Sequence, residues 1–216
     1  MKIIDPSVEL INAPTYDALL NTIEVAGRVC YKSEDKISSD SAEKFIKNII
    51  SRGHEAVLEH GVLTVKFICD RGVSHEIVRH RIASYCQEST RYCNYSQDKF
   101  GNELTVIRPC FWEEKHSKLD EAFTEYELWK MACKASEDYY FALLGRGATP
   151  QEARSVLPNS LKTEVVMTAN IREWRHFLKL RTSERAHPQM RQVACMLATK
   201  LAEEYPVFFK EVEGNV

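Results

Sequence analysis

A run of three side chains that are positive or can become positive, RHR at residues 79–81, lies in a chain whose formal net charge is only -2. Neighbouring cations repel one another, so this run indicates an anionic binding partner. The polar segment that follows ends in Ser89, Thr90 and Arg91. Hydroxyls, backbone N–H groups and a guanidinium in succession can hold a phosphate. Because no P-loop or G-x-G-x-x-G pattern accompanies them, a solvated basic turn is the alternative interpretation.

A second set of cations lies on one predicted helix, at Arg172, Arg175, His176 and Arg181. Side chains four positions apart share a helical face, so Arg172 and His176 lie together, whereas Arg175 belongs mainly to a neighbouring side. Charged residues on a helix commonly form its solvated face. Arg154, Arg172 and Arg181 would need carboxylate partners if they were buried, and the flanking residues supply few. This favours a second anion site.

Two further candidates for chemistry are a histidine pair and a cysteine. His54 and His60 are six residues apart, whereas the zinc-protease helix needs two histidines four apart, so we expect no metal site. Cys86 follows the arginines, which favour a thiolate, and is a candidate nucleophile. No histidine lies at a predictable distance to serve as its base, so a small loop residue is the alternative interpretation.

Composition places the chain among globular proteins and excludes several classes of function. Hydrophobic residues make up 44% and charged residues 28% of the 216 positions, and no linker divides them, so we expect a single domain over residues 1–216. The net charge argues against a general nucleic-acid binder. Seven cysteines without a C-x-x-C pair favour a reducing cytoplasm over a disulfide framework. No signal peptide or 18-residue apolar stretch is present, so no membrane contact is expected.

The hydrophobic pattern predicts alternating strands and helices. Strands are predicted at 8–12, 61–69, 105–107 and 163–169. Helices are predicted at 15–27, 41–52, 74–81, 118–144, from 149 to before Pro158, 170–181 and from Pro188 onward. Capping residues are predicted at Asp40, Ser74, Thr149 and Asn170. The RHR run falls at the end of the third helix, where the roughly 100° step between neighbours directs the side chains apart.

The segment 82–103 shows no periodicity and is predicted to be a loop. Loops longer than about 15 residues in a compact domain are usually functional or disordered. Four aromatic residues within this segment favour an ordered, functional loop.

These motifs together resemble one known family. The segment RHRIASYCQESTRY (79–92) resembles the signature of the flavin-dependent thymidylate synthases, in which seven residues separate RHR from a serine, here Ser89. Five more segments are similar to that family's other blocks, in the same order: GRVCYKS (27–33), RGHEAVLEH (52–60), EARSVLP (152–158), TANIREWRHFLKLR (168–181) and ERAHPQMRQVA (184–194). The resemblance extends over nearly the whole chain.

The resemblance implies a fold, an assembly and a reaction. The fold is α/β of the α+β type, with a mixed sheet flanked by helices, and the assembly is a homotetramer whose sites are shared between subunits. The reaction converts dUMP to dTMP with FAD as cofactor, 5,10-methylenetetrahydrofolate as one-carbon donor and NADPH as reductant. The resemblance implies no protein nucleophile and no metal.

The resemblance also assigns residues to two ligands. It implies that FAD is bound by His54, Ala56, Arg79, His80, Arg81, Gln87, Asn170, Arg172 and His176. It implies that dUMP is bound by Glu76, Arg79, Gln87, Glu88, Ser89, Thr90, Arg91, Arg154 and Arg181. Of these, Arg181 receives a catalytic role, because it resembles the arginine that holds the uracil ring and favours its ionised form.

This chain departs from the family pattern at several positions. Cys86 stands where the motif often has Asn, Gln87 where Glu is common and His176 where Asn is common. Arg185 and His187 depart from a common His-Ala-Gln arrangement, and we assign neither a role.

Two other interpretations stay open at this point. One is a module that binds RNA or single-stranded nucleic acid through the Arg and Tyr residues of segment 79–95. The other is an enzyme that uses Cys86 covalently, as the unrelated cysteine-dependent thymidylate synthases use a cysteine.

Overall fold

The structure is a computed structural model that describes residues 1–11, 13–112 and 123–213. It is a mixed α/β fold with both helices and strands. The strands are β1 (Lys2–Ile4), β2 (Ser7–Ile11), β3 (Val62–Asp70), β4 (Ala83–Gln87), β5 (Thr105–Ile107) and β6 (Lys162–Asn170). The helices are α1 (Tyr16–Tyr31), α2 (Ser41–Ser51), α3 (Arg71–Ile77), α4 (Glu125–Gly145), α5 (Pro150–Ala153), α6 (Ile171–Arg181), α7 (Pro188–Glu204) and α8 (Pro206–Glu213). No helix in the described ranges is long and apolar enough to cross a membrane.

The strands form two sheets. β1 pairs with β5 in parallel, with Lys2 opposite Thr105 and Ile4 opposite Ile107. The other sheet has four strands in the order β2-β3-β6-β4. The two central strands are the longest and alternate buried with half-buried side chains, because every second side chain faces the core.

The chain divides into two compact units, each assembled from three stretches. The first unit contains Met1–Ser7, Ile68–Ile77 and Cys86–Val165. The second contains Val8–Phe67, Val78–Tyr85 and Val166–Val216. The prediction of a single domain rested on the absence of a linker and stays a prediction.

The core of the second unit holds helix α6 in place through aromatic packing. Trp174 and Phe177 on α6 are fully buried, with ring centroids 6.2 and 6.0 Å from that of Phe67 on β3. The Trp174 indole Nε1–H donates to the carbonyl of Leu63 at 3.1 Å. Burying a side chain of this size stabilises a fold by roughly 1.5–3 kcal/mol. The packing therefore fixes the polar positions of α6 as well as its apolar ones.

The core of the first unit orders the long polar segment. Tyr95 is buried with Tyr140 of α4, at a ring-centroid distance of 5.8 Å, and with Leu104, Ala153 and Leu161. The Tyr95 backbone N–H donates to the Tyr140 hydroxyl at 3.5 Å. This part of the segment is ordered, as its aromatic content predicted.

Several predicted boundaries are confirmed. β5 has the predicted bounds, and α6 begins after Asn170, whose Oδ1 accepts the backbone N–H of Glu173 at 2.8 Å. Thr149 and Glu152 form the predicted capping box of α5, although that helix is only four residues long. The described part of α4 begins at Glu125, and its predicted start at residue 118 lies outside the described residues, as does Asn12.

Other predictions were wrong for local reasons. Helix α3 begins at Arg71 rather than after Ser74, because the Asp70 carboxylate accepts the backbone N–H of Val73 at 2.8 Å. The helix ends at Ile77, so the RHR run lies beyond it. Asp40 makes no capping hydrogen bond to α2 and instead accepts one from the hydroxyl of Ser38.

Three elements were missed by the sequence analysis. β4 lies within the segment predicted as a loop, since five residues with mostly polar side chains give little apolar alternation. β1 is only three residues long. Helix α8 follows α7 after a single residue, and the hydrophobic pattern did not predict it as a separate helix.

Candidate active site

The RHR run in the second unit alternates between solvent and core. Arg79 and Arg81 are exposed, whereas His80 is only 5% exposed and its ring packs against Phe177, with 4.8 Å between centroids. The Tyr85 hydroxyl of β4 donates to the carbonyl oxygen of His80. The predicted divergence of the three side chains is confirmed, although a turn and the irregular residues after it, rather than a helix, produce it.

His80 is hydrogen-bonded through both ring nitrogens. Its Nδ1 lies 2.9 Å from Oε1 of Glu173, and its Nε2 lies 3.1 Å from Nε of Arg181. A guanidinium N–H can only donate, so Nε2 must be the acceptor and Nδ1 must carry the proton that Glu173 accepts. The geometry therefore defines a neutral imidazole in the Nδ1–H tautomer.

Burial and the surrounding charges are consistent with a neutral imidazole. Burial lowers the pKa of His80 from its ordinary value, the hydrogen bond to Glu173 opposes this, and the positive charge of Arg181 lowers the pKa further. Burial, with a smaller contribution from Glu173, raises the pKa of Tyr85 to about 12. The Tyr85 hydroxyl thus stays protonated and can donate at neutral pH.

A cavity of about 680 Å³ lies along helix α6. Its lining includes three residues predicted to bind FAD, Asn170, Arg172 and His176, together with Glu173. Asn170 is the N-cap of the helix, so the amide, guanidinium and imidazole lie within its first two turns. Three groups that the sequence assigned to one ligand are therefore brought to one cavity.

Carboxylates from a distant part of the chain line the same cavity. Glu59 accepts from Nη1 of Arg172 at 2.6 Å, and Glu55 lies 3.5 Å from Nε of Arg175. Few carboxylates flank these arginines in the sequence, but carboxylates from distant positions contact them in the fold. Arg172 and Glu59 are exposed, at 52% and 45%, so water competes for both groups and the pair can exchange.

The remaining residues assigned to FAD in this unit lie at its surface. His54 and Ala56 are exposed, and Nδ1 of His54 lies 3.0 Å from the hydroxyl of Tyr31. Neither lines the cavity, although Glu55 between them does.

In the first unit, Gln87 is held by two hydroxyl oxygens. Its Nε2 lies 2.9 Å from Oγ of Ser74 and 3.3 Å from Oγ1 of Thr163. An amide NH₂ can donate to both, whereas a carboxylate can only accept. Because the Ser74 hydroxyl already donates to the carbonyl of Arg71 at 2.8 Å, its oxygen must accept from residue 87, which provides a local reason for the amide there.

Glu88 is anchored within the protein. Tyr95 donates its hydroxyl to Oε1 at 2.9 Å, and Nζ of Lys162 lies 2.9 Å from Oε2 and 2.6 Å from Glu164. Burial is the main cause that raises the pKa of Tyr95, with Glu88 adding to it. Because both carboxylate oxygens are engaged, the side chain fixes the segment just before Ser89.

The predicted phosphate-binding residues form a turn. The carbonyl of Ser89 accepts the backbone N–H groups of Tyr92 and Cys93, and Nη1 of Arg154 donates to Oγ1 of Thr90 at 3.4 Å. Arg91 is exposed. The Arg154 guanidinium therefore contacts the Thr90 hydroxyl, and phosphate binding by this turn stays a prediction. Glu76 is half-buried on α3.

Alternation along β4 separates Cys86 from its neighbours. Tyr85 and Gln87 are half-buried, whereas Ser84 and Cys86 are exposed. The departure at position 86 thus falls on the outward face of the strand, where a change of side chain is readily accommodated.

Within the described ranges, one group of side chains places its potential ligand atoms close enough together to hold a metal ion. Ligand atoms of His80, Glu173 and His176 lie within 4.8 Å of one another. The Arg181 guanidinium donates to His80 Nε2 and places a positive charge beside this group, which opposes cation binding. The expectation that the site contains no metal stays a prediction.

Sequence reasoning missed the residues that support these groups. They are Tyr85, Tyr95, Lys162 and Glu173. Only Glu173 had a local signal, as the partner of the Asn170 cap, and that signal did not indicate where its carboxylate lies.

Comparison with known proteins places the chain in a family. The family model described as thymidylate synthase complementing protein matches residues 13–207. The flavin-dependent thymidylate synthase of Pyrococcus furiosus is 35% identical over 191 residues, which are 85% of this chain and 75% of that protein. The enzyme of the same name from Corynebacterium aurimucosum is 36% identical over 200 residues, with 88% and 78% covered.

Solved structures show the same fold. The UMP/dUMP methylase PolB from Streptomyces cacaoi, bound with 5-Br dUMP, is 24% identical with a TM-score of 0.75, covering 100% of this chain and 99% of that one. The same protein bound with 5-Br UMP gives a TM-score of 0.76 at 22% identity, with 99% and 96% covered.

Proposed function

Because this chain belongs to the thymidylate synthase complementing protein family, which includes the flavin-dependent thymidylate synthases, we propose that it methylates dUMP to dTMP reductively. The one-carbon donor is 5,10-methylenetetrahydrofolate, and NADPH is the reductant. The observation that carries the proposal is the cavity on helix α6, which gathers Asn170, Arg172 and His176. Membership of this family gives no support to the alternative interpretation, a nucleic-acid-binding module that uses segment 79–95.

The residues around this cavity fit FAD. A volume of about 680 Å³ is within the range of roughly 300–1,000 Å³ typical of ligand sites. The cofactor carries a pyrophosphate, and Arg172 can exchange its contact with exposed Glu59 for a phosphate oxygen. Asn170, Arg172, His176 and the RHR run would hold FAD, with His54, Ala56 and Gln87. When bound, FAD supplies the hydride chemistry that no side chain can provide.

The turn at 89–91 fits the phosphate of dUMP. Hydroxyls of Ser89 and Thr90 can donate to phosphate oxygens, and Arg154, which already contacts Thr90, adds a guanidinium. Glu88 keeps its carboxylate in contact with Lys162 and Tyr95, so its contribution to the nucleotide would come through the backbone. Glu76, Arg79, Gln87 and Arg91 complete the proposed set.

Arg181 is the proposed catalytic residue. A guanidinium beside the uracil ring stabilises negative charge on the ring and so increases its nucleophilicity toward the one-carbon unit. This role needs no protein nucleophile, in agreement with the outward position of Cys86. A homotetramer with shared sites would gather the two sets of arginines from different subunits.

The cellular setting is also part of the proposal. All seven cysteines are free thiols, which suits a cytoplasmic protein.

The test is the absorption spectrum of the purified protein with and without dUMP, followed by a turnover assay. We expect bound flavin, a spectral change on adding dUMP, and dTMP formation that requires both the folate and NADPH. A colourless protein that binds no added FAD contradicts the proposal, as does tight, salt-sensitive oligonucleotide binding that dUMP does not compete with. Light scattering measures the oligomeric state, for which a tetramer is expected.

A further inference from the structure

Glu173 is a buried carboxylate in the second unit that none of the proposed ligands accounts for. Its side chain is about 9% exposed, although it lines the cavity on α6. It is the third residue of that helix, where the backbone N–H groups and the helix dipole favour a negative charge. Its backbone N–H donates to Oδ1 of Asn170, and its carboxylate contacts His80.

The contacts of His80 leave a single consistent proton arrangement. Arg181 donates to Nε2 at 3.1 Å, and Glu173 accepts from Nδ1 at 2.9 Å. The other tautomer would set the Nε2 proton against the Nε proton of Arg181 and leave Glu173 without its donor. Unmade hydrogen bonds between buried groups are costly, so Glu173 and Arg181 together select the first tautomer, and Glu173 supplies the acceptor for its proton.

Every group that faces His80 is consistent with this selection. On α6 these are Glu173, Arg181 and His176, whose ring centroid is 5.8 Å from that of His80. From β4, Tyr85 binds the His80 carbonyl oxygen and thereby fixes the backbone. Among these groups Glu173 is the one acceptor that contacts the ring, within the described residues.

We propose that Glu173 is a positioning residue: it holds His80 as the Nδ1–H tautomer, so that the Nε2 lone pair of His80 orients the Arg181 guanidinium. A guanidinium is planar, so fixing its Nε–H fixes the plane of the whole group. Glu173 thus acts on the pyrimidine only through His80 and Arg181. This inference rests on the proposed function, because it concerns the residue assigned to uracil.

The test combines a tautomer measurement with nucleotide affinity on full-length, FAD-loaded protein. ¹⁵N-histidine NMR at pH 7.5 distinguishes protonated from unprotonated ring nitrogens, and His80→Gln assigns the resonance. The wild type should show a protonated Nδ1 and a bare Nε2. Glu173→Gln keeps an acceptor and should retain this pattern, with a dUMP Kd within about threefold. Glu173→Leu leaves the buried Nδ1 proton without an acceptor, so it should weaken the preference that Arg181 alone then maintains, lower the Nδ1–H population measurably and raise the dUMP Kd roughly tenfold or more.

The proposal is overturned if Glu173→Leu leaves the tautomer and the dUMP Kd unchanged, or if wild-type His80 is an imidazolium or carries its proton on Nε2. Should Glu173→Leu not fold, Arg181→Met, whose side chain cannot donate to Nε2, gives the complementary reading. Glu173 alone should then keep His80 in the Nδ1–H form, and loss of that form would show that Arg181 sets the tautomer. The NMR measurement needs no substrate, so a wild type that forms no dTMP contradicts the proposed function without affecting this result.

Discussion

Lys162 and Glu88 form an ion pair in the first unit, with 2.9 Å between Nζ and Oε2 and with the two side chains only 20% and 12% exposed. Lys162 opens strand β6, and Glu88 directly precedes the proposed phosphate-binding turn. The pair therefore joins that turn to the start of strand β6.

We predict that this pair is energetically coupled. Each of the single substitutions Lys162→Met and Glu88→Gln leaves the other, largely buried side chain without this charged partner. The double mutant should therefore lose less free energy of unfolding than the sum of the two single losses. A coupling of roughly 0.5–3 kcal/mol is expected in urea unfolding. The exposed pair Lys200 and Glu204, at 39% and 42% exposure, is the control and should show about 0.3–0.5 kcal/mol. Equal coupling in both pairs would contradict the anchoring role.

Arg181→Ala should abolish turnover and leave the flavin bound. Removing a charged donor from a developing negative charge typically lowers kcat by about 100-fold or more. Arg146→Ala, which changes an exposed arginine after helix α4, is the control and should keep wild-type activity. If dUMP turnover survives the loss of the Arg181 guanidinium, the role assigned to it is wrong.

The stability of the protein should fall in mild acid because of His80. Its pKa is lowered in the folded state, so the unfolded chain takes up the proton more readily. The contribution of neutral His80 to the free energy of unfolding is therefore complete above the unfolded-state pKa of about 6.5. It is lost as the pH falls from there through the lower folded-state pKa. Urea unfolding between pH 5 and 8 measures this dependence. His80→Gln should flatten it, whereas His60→Gln, at an exposed position, should not.

Cys86→Ala should keep its activity. The side chain is exposed on the outward face of β4, where a substitution usually changes stability by no more than about ±0.5 kcal/mol. We therefore expect kcat to stay within about twofold of the wild-type value. A steady-state assay with a matched flavin content measures this. Complete loss of turnover with flavin still bound would instead support a covalent role for the thiol.

Gly27→Ala should destabilise the second unit. A Cβ at this position would lie 2.6 Å from the ring of Phe45 and 2.9 Å from Val57. Overpacking of this kind costs about 1–3 kcal/mol. Gly145→Ala is the matched control, because nothing lies within 4 Å of its Cβ, and a gain of about 0.4–1 kcal/mol is expected. Thermal unfolding of the two variants should shift in opposite directions.

Local interactions made parts of this structure predictable from the sequence. The start of α6 was predicted because Asn170 and Glu173 are three residues apart, and the Thr149 cap for the same reason. The carboxylate of Glu173 reaches His80 across 93 positions, and Glu59 reaches Arg172 across 113. Patterns within a short window contain no information about such contacts. The cationic side chains proposed to bind anions could thus be selected from the sequence, whereas their contacts with distant carboxylates could not be predicted.

Strand β4 gives the length of the RHR-x7-S motif a physical meaning. Between Arg81 and Ser89 the chain alternates faces, with Tyr85 and Gln87 inward and Cys86 outward. Inserting or deleting one residue there would exchange these faces, because side chains in a strand alternate with period two. Tyr85 would lose the His80 carbonyl and Gln87 its two hydroxyls. A change of length in this stretch should therefore disrupt more contacts than a substitution at an outward position such as Cys86.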